Sequence, residues 1–163
     1  KTNQVLIDAS TAVGEGNYMR TTIVAILIQK RKIFLGHVGD SRAYLLRNNI
    51  LEGLTRDHSL VHDLVFRGGY HQRKQKSSSI DSVTRVLGAK PNIEITTLAH
   101  EIKSGDRLLL CSDGLSDMLS DKEIEEIANT EIHNLKKTTK NLIKFANRRG
   151  GRDNISVILA QIP

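Results

Sequence analysis

The sequence has a single cysteine, only two prolines and no apolar run longer than residues 23–28. Cys111 therefore cannot form an internal disulfide, and no Cys/His spacing typical of a zinc ribbon surrounds it. The apolar run is far shorter than the roughly 20 residues needed to cross a bilayer. The first ten residues also lack the basic-then-apolar plan of a secretory signal. We therefore expect no membrane insertion and a reducing, cytoplasmic location.

The composition is typical of a globular domain. The 163 residues are 39% hydrophobic and 26% charged, which excludes a disordered or fibrous protein. A chain of this length predicts one domain, spanning 1–163, and it can build a core without disulfides or a structural metal.

The formal net charge is +6 at pH 7. A positive charge of this size would attract nucleic acid, anionic lipid or phosphorylated proteins. Aromatic residues make up only 4% of the chain, and Tyr70 alone accompanies the basic residues 67 and 73–76. Binding of single-stranded nucleic acid depends on aromatic side chains that stack on bases, so a nucleic-acid partner is disfavoured.

Short β-branched runs, helix caps and turn residues predict a mixed α and β chain. Asn48 and Asn49 tolerate positive φ and predict a tight hairpin. Ser120 and Glu123 form a capping box that begins a helix through Ala128, and a second helix ends at residues 150–151. Strands are predicted at 21–28, 33–38, 42–47, 50–55, 93–99, 107–111 and 155–161, a short helix at 60–65, and an exposed basic loop at 68–82.

Four aspartates lie where predicted strands break into turns: Asp40, Asp113, Asp117 and Asp153. Oxygen-rich ligand sets of this kind suit Mg²⁺ or Mn²⁺, since the sequence supplies no sulfur or paired-histidine alternative. Each aspartate alone is better explained by a local turn, which is the commonest use of Asp beside Gly. The four together favour a metal site.

The histidines and the cysteine are not assigned catalytic roles. His58 and His62 have helical i, i+4 spacing, but no carboxylate accompanies them, so we expect surface or capping roles. Cys111 lies in an apolar run and is interpreted as a small buried hydrophobic residue.

Five segments occur in the order and approximate spacing of the type 2C family of metal-dependent protein phosphatases, which this chain resembles from about residue 21 to the end. They are GHVGDSRAYL (36–45), LTRDHS (54–59), TRVLG (84–88), GDRLLLCSDGLSDML (105–119) and GRDNISVIL (151–159). The resemblance to the bacterial branch implies an α+β fold, in which two antiparallel sheets pack face to face and are flanked by helices.

The resemblance also implies the chemistry and the ligands. It implies hydrolysis of phosphoserine and phosphothreonine in proteins by a metal-activated water, with two or three Mn²⁺ or Mg²⁺ ions per complete domain. Asp113 and Asp153 resemble ligands of the second catalytic metal, and Asp40, Asp113 and Asp117 resemble the third metal site. Arg85 matches a substrate-side arginine, and residues 68–82 fall where the family has its flap. Phosphorylated proteins, including Ser/Thr kinases or their substrates, are the implied partners of an expected monomer.

One departure from the family pattern leaves an alternative open. The family's first-half motifs, including the Asp that bridges the catalytic metals, are not found, because the sequence begins after them. The resemblance therefore implies the C-terminal part of a catalytic domain, with the N-terminal part missing. The alternative is a non-catalytic or incomplete phosphatase-like subunit with a regulatory or assembly role.

Overall fold

The structure is a computed structural model that describes residues 1–14, 19–59 and 83–163. It contains helices and strands in mixed order, as the sequence predicts. The elements are α1 (Thr2–Val13), β1 (Ile23–Gln29), β2 (Lys32–Val38), β3 (Arg42–Arg47), β4 (Ile50–Gly53), β5 (Thr96–Glu101), β6 (Arg107–Cys111), α2 (Asp113–Ser116), α3 (Asp121–Thr130), α4 (Leu135–Arg148) and β7 (Val157–Gln161).

The strands form two antiparallel sheets. The first has the order β1-β2-β5 and the second the order β4-β3-β6-β7. The predicted hairpin between β3 and β4 is confirmed, because Asn48 and Asn49 both adopt positive φ, at 52° and 65°. The expected two-sheet α+β fold is confirmed.

Alternating residues of the second sheet supply two separate cores. Leu45 and Leu108 pack with Ile33 of the first sheet, so the two sheets bury their facing sides against each other. The neighbouring Tyr44 and Leu109 point to the opposite side and pack against the helices. Ile124 and Ala128 of α3 and Leu142 and Ala146 of α4 belong to this second core. The order of layers is therefore first sheet, second sheet, helices.

The capping box at the start of α3 is confirmed. The Glu123 amide donates to Ser120 Oγ, and the Ser120 amide donates to the Glu123 carboxylate. Within the described residues, the longest helix has 14 residues, and none has the length and apolar character needed to span a membrane.

Several features differ from the sequence-based expectation. Helices α1 and α2 were not predicted. Strand β1 begins at Ile23 rather than at residue 21, and β4 ends at Gly53 rather than at residue 55. Strand β5 begins at Thr96 rather than at residue 93 and continues to Glu101, and β7 begins at Val157 rather than at residue 155. The predicted helix at 60–65 and the flap-like loop at 68–82 lie outside the described residues.

Candidate metal centre

The strand register brings the aspartate-bearing turns to one edge of the second sheet. Arg42 at the start of β3 pairs with Cys111 at the end of β6, and Cys111 pairs with Val157 at the start of β7. Asp40 precedes β3, Asp113 follows β6, and residue 153 precedes β7. These turns therefore meet at the same edge, which could not be read from the sequence.

Three of the four aspartates are electrostatically coupled. Burial is the main cause that raises the pKa of Asp40, and the negative charge of Asp113 is the second. Asp57 and Asp117 raise it further. Asp113 and Asp117 therefore lie within electrostatic range of Asp40.

Asp153 reaches the same edge because the Ser112 side chain, next to Asp113, binds the backbone of the turn that contains Asp153. Ser112 Oγ donates to the carbonyl of Asn154 at 3.1 Å, and the Ser156 amide donates to Ser112 Oγ at 3.0 Å. Gly114 lies so close to this turn that an added Cβ would stand 2.4 Å from the Asn154 carbonyl oxygen. Glycine is therefore required there for the two turns to meet.

Local hydrogen bonds orient two of the carboxylates. Asp113 Oδ1 accepts from the Gly114 amide at 2.8 Å, and Asp153 Oδ1 accepts from the Asn154 amide at 2.6 Å. This contact with the amide of the following residue is one position short of an Asx-turn, in which the side chain reaches the amide two positions on. It does not compete with a metal-binding role, because each carboxylate has a second oxygen.

The donor set fits a hard divalent cation that keeps several water ligands. Mg²⁺ is typically held by one or two carboxylates with water completing its shell. Within residues 1–14, 19–59 and 83–163, no three His, Cys, Asp or Glu side chains are close enough to enclose a metal by themselves. The described residues therefore do not form a closed metal site such as a structural zinc site, and a cation held by one or two of these carboxylates would need water to complete its shell.

Arg85 has a different environment. Its guanidinium lies 3.1 Å from Glu94 Oε2, and its side chain is 34% exposed. In the part of the chain that the structure describes, Arg85 forms its ion pair with Glu94 and not with the four aspartates.

The interpretation of Cys111 is confirmed, whereas the expected surface position of His58 is wrong. A capping role would involve the predicted helix at 60–65, which lies outside the described residues. Cys111 is 4% exposed, and burial raises its pKa to about 12, which keeps the thiol protonated. His58 is 8% exposed, because its ring packs on that of buried His37, with 4.5 Å between ring centroids. His62 lies outside the described residues. The segment LTRDHS, one of the five that carry the family resemblance, was the sequence feature that could have indicated a buried role for His58.

Comparison with known proteins agrees with this geometry. A family model described as protein phosphatase 2C matches residues 5–160. The serine/threonine phosphatase stp of Listeria welshimeri is 39% identical over 146 residues, covering 89% of this chain and 58% of that protein.

Solved structures give the same result. A serine/threonine phosphatase of S. agalactiae superposes with a TM-score of 0.90 at 34% identity, covering 99% of this chain and 66% of that chain. The catalytic domain of the serine/threonine phosphatase PstP, solved with two manganese ions, has a TM-score of 0.83 at 35% identity over 99% of this chain and 67% of that chain. The chain thus spans about three fifths of the length of the curated relative from L. welshimeri. Since the family model matches nearly all of it, the chain belongs to the protein phosphatase 2C family.

Proposed function

We propose that the protein containing this chain hydrolyses phosphoserine and phosphothreonine in other proteins, with divalent cations as cofactors. The observation that carries the proposal is the strand register, which brings the turns of Asp40, Asp113 and Asp153 to the same edge of the second sheet. Relatives named as serine/threonine phosphatases support the same reaction class.

The four aspartates are the proposed cation ligands. Asp113 and Asp153 would hold one ion, and Asp40, Asp113 and Asp117 would contribute to a second, directly or through water. The electrostatics of Asp40 support this assignment: burial is the main cause that raises its pKa, and the negative charge of Asp113 raises it further. A bound cation would relieve the repulsion between these two carboxylates.

Divalent cations at such a site activate water for attack on phosphorus and neutralise the charge that develops on the phosphoryl group. The chain itself supplies oriented carboxylates and contributes no nucleophile of its own. Arg85 is proposed to contact the phosphoprotein substrate. Because its guanidinium pairs with the exposed Glu94, a substrate phosphate would compete with that carboxylate.

We also propose finer features of the function. Manganese is supported by the PstP structure with two manganese ions, and magnesium is proposed because the all-oxygen donor set suits either ion. We further propose two or three ions per complete domain, phosphorylated proteins such as Ser/Thr kinases or their substrates as partners, a monomeric state and a cytoplasmic location. Neither nucleic acid nor membrane is proposed as a partner.

The test is phosphate release from a phosphothreonine peptide by the full-length gene product that contains these 163 residues. We expect release with Mn²⁺ or Mg²⁺, none after chelation, and a loss of about 100-fold or more for Asp113→Asn, similar to the loss of one key electrostatic group in other enzymes. Asp8→Asn, an exposed aspartate of α1, is the charge-matched control. Absence of release with either ion would favour the non-catalytic alternative.

A further inference from the structure

The turn that carries Asp40 is held from several sides. It connects β2, which ends at Val38, to β3, which begins at Arg42. Gly39 in this turn has a φ of +113°, and a Cβ there would lie 2.3 Å from Thr22 Cγ2. The Thr22 hydroxyl is also 2.8 Å from the Ser41 hydroxyl. The turn therefore packs directly against the start of the first sheet.

His58 binds both backbone polar groups of the residue that precedes Asp40. The Gly39 amide donates to His58 Nδ1 at 3.2 Å, and the His58 amide donates to the Gly39 carbonyl at 2.9 Å. Because Nδ1 accepts, the neutral ring carries its proton on Nε2 and donates to Thr96 Oγ1 at 2.9 Å. The His58 carbonyl accepts from the Thr84 amide at 2.7 Å, so the histidine is itself anchored.

Asp57 holds the other side of the same turn. Its two carboxylate oxygens accept from Arg42 Nε at 2.9 Å and from Arg42 Nη2 at 2.7 Å. A two-point pair of this type fixes the orientation of both groups as well as their distance. The consecutive residues Asp57 and His58 therefore bind Arg42 and Gly39, the residues on either side of Asp40 and Ser41.

The contacts that Asp57 and His58 make with the Asp40 turn have a physical purpose. Asp40 is partly buried and lies within electrostatic range of the negative charges of Asp113, Asp57 and Asp117, although the charge of Asp57 is paired with Arg42. Without a cation, the repulsion from Asp113 and Asp117 would move the Asp40 turn away from them. A site that must be ready for a cation needs the turn to be held by contacts outside the ligand set, as outer-shell partners do in other metal sites.

We propose that Asp57 and His58 are positioning residues that hold the Asp40 turn in place for divalent cation binding. This proposal rests on the proposed metal-dependent function. It assigns a role to the segment LTRDHS and explains why a buried histidine with an accepting Nδ1 lies beside the aspartate edge.

The first test uses substitutions that keep the charge. His58→Leu removes the acceptor for the Gly39 amide, whereas His58→Asn can replace Nδ1 by its side-chain oxygen. We expect His58→Leu to raise the Kd of the 163-residue chain for Mn²⁺ about tenfold, equivalent to about 1.4 kcal/mol. We expect His58→Asn to recover most of that loss. Isothermal titration calorimetry with Mn²⁺ alone gives both values.

The second test compares the two ends of β3. Arg47 forms the same two-point pair with Asp106, at 2.9 and 2.7 Å, at the end of the strand remote from Asp40. Arg42→Lys and Arg47→Lys each keep the charge and remove the paired geometry. We expect Arg42→Lys to weaken Mn²⁺ binding several-fold and Arg47→Lys to leave the Kd unchanged, even if both lower the free energy of unfolding.

The outcomes separate the two proposals. If the unsubstituted chain binds Mn²⁺ and the His58 and Arg42 variants bind it equally well, the positioning role is wrong and the metal site stands. Equal weakening by Arg42→Lys and Arg47→Lys would also contradict it, since that would be a general effect of stability. If the unsubstituted chain binds no Mn²⁺ at millimolar concentration, both proposals fail. Should His58→Leu not fold, the Arg42 and Arg47 pair decides the question.

Discussion

At the scale of single residues, the absence of a side chain at Gly114 determines whether two aspartate turns can meet. The nearest atoms to an added Cβ are backbone atoms of Asn154, which cannot rotate away as a side-chain tip could. The adjacent residues, Asp113 on one turn and Asp153 on the other, are both proposed ligands. Folding and cation binding therefore depend on the same close approach.

Gly114→Ala should accordingly lower the free energy of unfolding by about 1 to 3 kcal/mol, the usual cost of forcing atoms into a packed site. It should also weaken Mn²⁺ binding, because it separates the Asp113 and Asp153 turns. Urea unfolding and calorimetric titration measure the two effects. Gly53→Ala is the control, since a Cβ at Gly53 meets nothing within 4 Å. A Gly114→Ala chain that matches this control in both measurements would contradict the proposed contact.

The buried Asp106 makes a residue-scale prediction about pH. Arg47 is the main cause that holds the pKa of this carboxyl below its ordinary value, and the Lys103 amide also donates to it, at 2.7 Å. A folded pKa that is depressed adds stability above the unfolded pKa, and that stability is lost as pH falls through the folded value.

Asp106→Asn should therefore reduce the free energy of unfolding at pH 7, and its difference from the unsubstituted chain should shrink as pH falls below about 4. Urea unfolding across this pH range measures the difference. Asp8→Asn is the exposed control. A difference that stays constant with pH would show that Asp106 contributes through packing alone.

At the scale of elements, the Ser120 cap at the start of α3 is expected to stabilise the fold. Ser120→Ala removes the acceptor for the Glu123 amide and should lower the free energy of unfolding by about 1 kcal/mol, with Mn²⁺ binding unchanged. Urea unfolding checks the first value and titration the second. Ser104→Ala, at an exposed turn, should have little effect on either. Equal stability of the two variants would mean that the cap contributes nothing.

The sequence predicted elements well where their signals were local. The asparagine turn between β3 and β4 and the capping box of α3 depend on residues a few positions apart. Helix α1 was missed because it has no side-chain cap and no buried residue, so neither signal of a helix was present. Strand β5 was placed too early because Ile93 and Ile95 have strand propensity. Its ladder begins where Thr96 meets His37, next to the end of β2 at Val38, so earlier residues have little strand to pair with.

For the candidate site, too, the sequence predicted the local features and missed the long-range ones. The four aspartates were identified as candidates from their place in turns at the ends of predicted strands. Their meeting depends on the pairing of Arg42 with Cys111 and of Cys111 with Val157, which is long-range information. His58 was misjudged for the same reason, because its partners Gly39 and Thr96 are 19 and 38 residues away.

At the scale of the whole molecule, the packing of the layers leaves the four aspartates outside both hydrophobic cores. The two sheets bury Leu45 and Leu108 between them, and the helices cover the far side of the second sheet. The edge where β3 and β7 begin and β6 ends is left for the aspartate turns. The central claim is therefore that this edge binds divalent cations.

Thermal unfolding of the 163-residue chain with and without Mn²⁺ tests this claim most directly. A ligand that binds only the folded state, at a hundredfold excess over its Kd, adds about 2.7 kcal/mol to the free energy of unfolding. We predict a clear rise in Tm for the unsubstituted chain and for Asp8→Asn, and a much smaller rise for Asp113→Asn, whose carboxylate is shared by both proposed sites. A Tm that does not respond to millimolar Mn²⁺ or Mg²⁺, or that responds equally in Asp113→Asn, would contradict the account.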